Sequence, residues 1–438
     1  MSYSFPQIFI ALYLLAIFLI GLLTPKEKSE RGFFFANRSV TLPALVMSLV
    51  STWYGGILEV GRYSYENGIV TFVMFGLFYY LAAAVYAVFI APKISRGDTG
   101  SIPELFEESF GRSSAVIAAI LIIFIASPAP YIKMLASIFR YIYGIEISAA
   151  IIIGALFSIL YTIRGGFRSV IRTDIVQFSM MFIGFIGILS YLYLNYGGYS
   201  FLASKLPDVK LSVPGNLSWG YLFSWGFIAL ITFIDPNFYQ RSFAGSSEKD
   251  VKKGIFISIG LWFLFDFISV ATGLYAAAII GDVEHSPFLD LASIALPPLL
   301  EAIFIVSMLA IIMSTIDSFV FVSGLTIGKN LMGSQMNSSS SVLYTKIGIA
   351  LSGLISVILA TFFNNAVDIW YVTGSFGASA LLLPMLCCLY KKNINRPAAF
   401  ISIPLIVTGA WFLFGSQWID PMYPGMLSSA MCYMVLSE

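Results

Sequence analysis

Residues 41–62, TLPALVMSLVSTWYGGILEVGR, form an apolar run long enough to cross a bilayer, with Gly55-Gly56 roughly halfway along it. A membrane-spanning helix needs about 20 predominantly apolar residues. Inside lipid such a helix must satisfy its own backbone, and unwound backbone is tolerated only where it lines a protein cavity or an ion site. The stretch therefore predicts a helical membrane fold and a functional break within it. Close packing of a second helix onto the two glycines is the structural alternative.

Working outward, similar runs recur along almost the whole chain of 438 residues. Hydrophobic residues make up 58% of the chain and charged residues 11%, against about 25% charged in a soluble domain. Spans are predicted near 6–23, 41–62, 68–91, 114–140, 147–163, 173–194, 219–241, 255–280, 297–327, 344–363, 367–390, 397–414 and 421–436. The expected architecture is an all-α polytopic membrane protein of about 13 transmembrane helices in a single transporter domain. The first run lacks a basic leader and a small-residue cleavage site, so it reads as a retained span. The formal charge of +1 offers no basic face for nucleic acid. Cys387, Cys388, Cys432 and the lone His285 have no metal-ligand spacing.

Alternating the loops across these spans collects nearly all the basic residues on one side. Of the 24 Lys and Arg, only Arg62, Arg140, Lys205 and Lys210 fall in the opposite loops, and Lys133 falls inside a span. The positive-inside rule then places the N-terminus outside and the C-terminus in the cytoplasm of a cell membrane, with a bacterial inner membrane as the expected setting.

A second break resembles the first. The seventh span, GYLFSWGFIALITFIDPNF (220–238), contains Gly226 and then Asp235-Pro236, and it stands five spans after the Gly55-Gly56 span. Inverted-repeat transporters carry discontinuous helices at corresponding positions of their two halves. Spans 2–6 (41–194) and 7–11 (219–390) are thus candidate five-helix repeats, with 6–23 as a leading helix and 397–438 as trailing helices.

Four motifs carry a resemblance: SLVSTWYGGILEVGRYSYENG (48–68), YTIRGGFRSVIRTDIVQ (161–177), DPNFYQRSFAGSSEKDVKKG (235–254) and LAIIMSTIDSFVFVSG (309–324). In this order and spacing they resemble the sodium:solute symporter family, sodium-driven carriers of sugars, proline, pantothenate and sialic acid on a LeuT-type 5+5 inverted-repeat fold. The resemblance implies Na+ as the coupling ion. Its common sodium site would use the carbonyls of Ser51 and Tyr54, the carbonyl of Ile311, and the hydroxyls of Ser314 and Thr315. Oxygen ligands suit a hard cation, and an unwound helix frees carbonyls for it. The alternative for the two hydroxyls is bonding back one turn along their own helix. Some members hold a second sodium at positions matching Asp174, Ser314, Asp317 and Ser318; here one expected hydroxyl is the carboxylate of Asp317. Ile57 and Leu58 stand where sugar carriers place polar groups, which argues against a sugar.

Ionisable residues at bilayer depth cost at least about 2.5–3.5 kcal/mol, so each is a functional candidate. Glu59, Lys133, Asp266 and Asp317 qualify, with Asp174 near an inner end. Lys133 follows SPAPYI, where two prolines can open the helix. Glu59 and Lys133 are expected either at the central cavity, where Lys133 would bind the carboxylate of an amino acid or other carboxylate solute, or paired with each other, while Asp266 is expected to pair with a neighbouring helix. The expected substrate-contacting set is Trp53, Gly55, Gly56, Ile57, Glu59, Tyr131, Lys133 and Trp225. Rival readings are a sugar or vitamin symporter, a channel, a transporter-like solute sensor and a membrane-embedded enzyme; the last would need a nucleophile with its base or clustered metal ligands, and the sequence shows neither. No phosphate-binding loop points to ATP, and no obligate protein partner is evident.

Overall fold

The computed structural model describes residues 4–27, 29–95, 97, 99–333, 338–362, 366–415 and 419–437. Among them the chain is helical throughout, with β-structure limited to two isolated bridges. The elements used below are α1 (Phe5–Leu22), α2 (Leu42–Trp53), α3 (Ile57–Asn67), α4 (Val70–Ser95), α5 (Ile102–Ile125), α6 (Ala129–Tyr143), α7 (Ile147–Gly165), α8 (Phe167–Tyr196), α9 (Trp219–Ile228), α10 (Pro236–Ala244), α11 (Glu248–Ile279), α12 (Pro298–Leu325), α13 (Ser338–Phe362), α14 (Ala366–Leu389), α15 (Pro397–Phe414) and α16 (Met422–Leu436).

By length and composition ten helical segments can cross a membrane, or eleven when the bent pair α2 and α3 is taken as one span. The two remaining expected spans differ for physical reasons. The segment 219–244 is broken into α9, a 3-10 stretch over Ala229–Ile234, and α10. The last, α16, has only 15 residues, about 22 Å at 1.5 Å per residue. Lys28, Arg96 and Phe363, used in the charge and span arguments, lie outside the described residues.

Both expected breaks occur where glycine or proline chemistry permits them. Between α2 and α3 the axis bends by 55°. Asp235 is extended between the 3-10 stretch and Pro236, the first residue of α10, whose missing N–H costs nothing there. Gly226 lies inside α9 and breaks nothing. The Pro-bearing SPAPYI stretch separates α5 from α6.

The loop alternation is visible in contacts. Arg168 pairs with Glu27, Arg38 donates to the Gly97 carbonyl at 3.0 Å, and Lys329 meets Glu104 at 2.6 Å. Lys93 lies over the Tyr390 ring, Val40 bridges Gly245, and Ile394 bridges Ser437. The basic loops thus gather at one end of the bundle. One basic residue does not belong there: Arg241, expected in a loop, is 1% exposed inside the protein.

The bundle's axis is α12, buried from Phe304 to Leu325 except at Phe319. The outer helices are the reverse of a soluble surface, with Leu12, Leu156, Leu194, Phe263, Leu354 and Ile406 exposed. Those side chains face the lipid that burial in protein does not cover.

Candidate ion and solute site

The break after α2 exists where it does because α12 presses against it. A Cβ on Gly55 would lie 2.5 Å from Thr315 Oγ1, and one on Gly56 would lie 2.3 Å from the Trp370 ring. Only glycine admits that approach. Helix α2 ends at Trp53, so its final carbonyls lose their intrahelical partners at this point. Thr315 Oγ1 takes one of them up: it lies 2.9 Å from the Thr52 carbonyl and 3.1 Å from the Ile311 carbonyl. Ser314 Oγ lies 2.9 Å from Ser51 Oγ and donates to Asp174 Oδ1 at 2.6 Å. Ser51, Ile311, Ser314 and Thr315 are therefore brought together beside the break, all at most 1% exposed. Tyr54 is at the same place, with its hydroxyl donating to the Trp262 carbonyl at 2.7 Å.

The expected second cation centre is built differently. A guanidinium stands in it. Arg241 of α10 donates through Nη2 to Thr52 Oγ1 at 2.6 Å, to Ser318 Oγ at 2.8 Å and to Asp174 Oδ2 at 3.2 Å, and through Nε to Ser48 Oγ at 2.9 Å. Ser48 also donates to Asp174. Asp317, expected to share a face with Ser314 and Ser318 and to confront Asp174, instead accepts from the Tyr161 hydroxyl of α7. Positions 314 and 318 are one turn apart and stay together; 317 is rotated away from them. Asp317 Oδ1, Ser158 Oγ and the side-chain amide of Gln177 are buried without partners behind it.

Beside the break lies a cavity of about 220 Å³. Trp53, Gly56, Glu59, Tyr131 and Trp225 line it, as expected. Three other expected contacts do not. Gly55 is committed to Thr315 and Ile57 is fully buried. Lys133 reaches across to α13, where its ammonium donates to the Ala360 carbonyl at 3.3 Å. The expected Glu59 to Lys133 pair is also replaced, because Arg62 Nε meets Glu59 at 2.8 Å one turn along the same helix. Asp266 does bond to a neighbouring helix, accepting from Tyr80 of α4, and it lines the cavity as well.

Sequence reasoning missed Ser48, Thr52, Thr232, Asp235, Asn237 and Arg241 as site residues. A signal for the last three existed. All nine residues of α10, PNFYQRSFA, are buried although many are polar, and a polar half-helix following a Pro break at bilayer depth must find its partners inside the protein.

A broken helix packed on a hydroxyl-bearing helix beside a cavity defines a helical membrane carrier. The model of the sodium:solute symporter family matches residues 33–405, and the chain belongs to that family. It is therefore a sodium-coupled symporter of a small organic solute and not an enzyme. It is 25% identical over 383 residues to the high-affinity proline transporter PutP of Bacillus subtilis, covering 80% of each chain. It is 26% identical over 222 residues to the sodium/glucose cotransporter 1 of Oryctolagus cuniculus, a match over 48% of this chain and 33% of that protein. Its fold is similar to that of a Na+-coupled sialic acid symporter solved in a substrate-bound outward-open state, with a TM-score of 0.83 at 17% identity over 100% of this chain and 99% of that one.

Proposed function

We propose that the chain imports its solute by alternating access, with one sodium ion as co-substrate bound between the α2–α3 break and α12. The observation that carries this is the junction of Thr315 with the frayed end of α2. Carbonyls of Ser51, Tyr54 and Ile311 with the hydroxyls of Ser314 and Thr315 supply hard oxygen ligands for a monovalent cation. Residues 41–194 and 219–390 act as the two repeats that move against each other, and the basic end of the bundle faces the cytoplasm, leaving the N-terminus outside. The solute occupies the adjoining cavity, where Trp53, Gly56, Glu59, Tyr131 and Trp225 contact it.

In proteoliposomes, uptake is expected to need an inward sodium gradient, and Thr315→Ala is expected to raise the half-saturating sodium concentration by about tenfold, the equivalent of one ligand worth about 1.4 kcal/mol. Equal uptake on a potassium gradient would sink the proposal. Linkage adds a check: solute must tighten sodium binding by the factor by which sodium tightens solute binding.

The Arg241 guanidinium supports a single sodium per cycle, since it already neutralises Asp174 and engages Ser318. Asp317→Asn is accordingly expected to leave the sodium-to-solute ratio unchanged in reversal-potential measurements. A lower ratio in a well-folded variant would restore Asp174, Ser314, Asp317 and Ser318 as a second sodium site.

A further inference from the structure

The aromatic wall of the cavity and its excess of carboxylates point to one chemical class of solute. Trp53, Tyr79, Tyr131, Trp225, Phe238 and Trp370 line it. Trp53 and Tyr79 meet edge to face with centroids 5.3 Å apart, and Tyr131 and Trp370 lie 5.8 Å apart. Ring faces carry negative potential and attract organic cations, by about 2 kcal/mol where water is excluded.

The carboxylates of Asp235 and Asp266 line the same space. One oxygen of Asp235 caps α10, accepting from the Asn237 N–H at 2.7 Å, and Asp266 accepts from Tyr80. Among the described residues neither has a Lys, Arg or His side chain within ion-pair distance. Arg241 also lines the cavity; its Nε and Nη2 are taken up by Asp174 and three hydroxyls, and its Nη1 has no partner. Glu59, the third lining carboxylate, is matched by Arg62. Against the one lining guanidinium, which is already paired with Asp174, stand the carboxylates of Asp235, Asp266 and Glu59, so an ammonium meets an excess of acid there. A separate observation points to a polar ligand in this cavity. Asn237 lines it at 4% exposure with both side-chain amide atoms unpartnered, and the buried Thr232 hydroxyl beside it has no partner either. Buried polar groups are seldom left so unless something else satisfies them.

We propose that the transported solute carries an organic ammonium, held by Asp235 beside the rings of Tyr79 and Tyr131, which line the same cavity. The inference rests on the symporter reading and narrows it. It also replaces Lys133 as the determinant of substrate charge with a carboxylate on the other broken helix.

The test uses pairs of equal shape that differ in one charge: glycine betaine with 3,3-dimethylbutyrate, choline with 3,3-dimethylbutan-1-ol, and L-proline with cyclopentanecarboxylate. Binding to the full chain in lipid nanodiscs with saturating sodium is read by tryptophan fluorescence and by thermal stabilisation. In at least one pair the ammonium member is expected to bind about tenfold more tightly or better than its partner. Asp235→Asn keeps a side-chain oxygen for the α10 cap and is expected to weaken that binding about tenfold while sodium alone still stabilises the variant. Equal binding within every pair, no binding of any ammonium member at millimolar concentration, or unchanged binding in Asp235→Asn would each overturn the inference. Sodium alone separates this result from the symporter reading. If ammonium compounds bind and sodium has no effect on stability or affinity, the coupling reading fails and the solute class stands; if sodium stabilises the protein and the pairs bind alike, only the solute class falls.

Discussion

Arg241→Met is expected to destabilise the protein by about 3–5 kcal/mol, because it leaves the carboxylate of Asp174 buried and unpaired. Asp174 is fully buried, and the guanidinium is its one ion-pair partner among the described residues. The loss extends further than one pair. Arg241 joins α2 through Ser48 and Thr52, α8 through Asp174 and α12 through Ser318, so the variant also leaves acceptors on three helices without their donor. Arg241→Lys is not a conservative exchange, since one ammonium cannot serve this spread of partners in the guanidinium plane. The double variant Arg241→Met with Asp174→Asn is expected to recover most of the loss, because no charge is then left unpaired. Apparent melting in nanodiscs, with and without sodium, measures both. An Arg241→Met protein that melts with the parent would refute the account of this network.

The contrast between Arg241 and Thr315 shows what can be read from a sequence of this kind. The break at Gly55-Gly56 and the one at Asp235-Pro236 follow from local backbone chemistry, and they stand where the residues put them. The Ser314 and Thr315 hydroxyls turn toward the first break because α12 is buried on every side, leaving few orientations for a polar group. Arg241 was illegible for a different reason. It stands at the edge of an apolar run, before the basic stretch that begins at Lys249, and charge counting assigns it to the loop. What holds it inside is the half-helix α10, whose depth depends on the break preceding it.

The Glu59 to Lys133 pair and the place of Lys133 were missed for want of rotation. Both are at bilayer depth, but which partner each meets depends on how α3 and α6 are turned in the bundle, and the period of an apolar helix leaves that turn weakly specified. Arg62, three residues along α3, was available to Glu59 all along. The count of spans is legible only as far as length allows: α16 and the broken 219–244 segment fall short of an uninterrupted crossing helix.

Gly324-x-x-x-Gly328, running from the last turn of α12 into the π-helical stretch Thr326–Met332 that continues it, is a small-residue signal of close helix approach, and it supports the second large effect. A Cβ on Gly328 would lie 2.3 Å from Thr345 Cα, and one on Gly324 would lie 2.5 Å from the Ile349 side chain. Both clashes fall on α13. In return, a Cβ on Gly348 of α13 would lie 2.2 Å from the Gly324 carbonyl oxygen and 2.8 Å from Gly328 N. These obstacles are largely backbone, so no side-chain rotation relieves them. Gly348→Leu is therefore expected to cost about 3 kcal/mol or more and to sharply reduce the folded yield in membranes, while Gly348→Ala costs about 1–3 kcal/mol. The milder variant carries the functional reading. By pushing α12 off α13 it drives Thr315 against Gly55, where no space remains, so the half-saturating sodium concentration should rise along with the loss of thermal stability. A Gly348→Ala protein that melts lower yet keeps the parental sodium requirement would show that α13 braces α12 without setting the ion site, and one with unchanged melting would contradict the backbone contact itself.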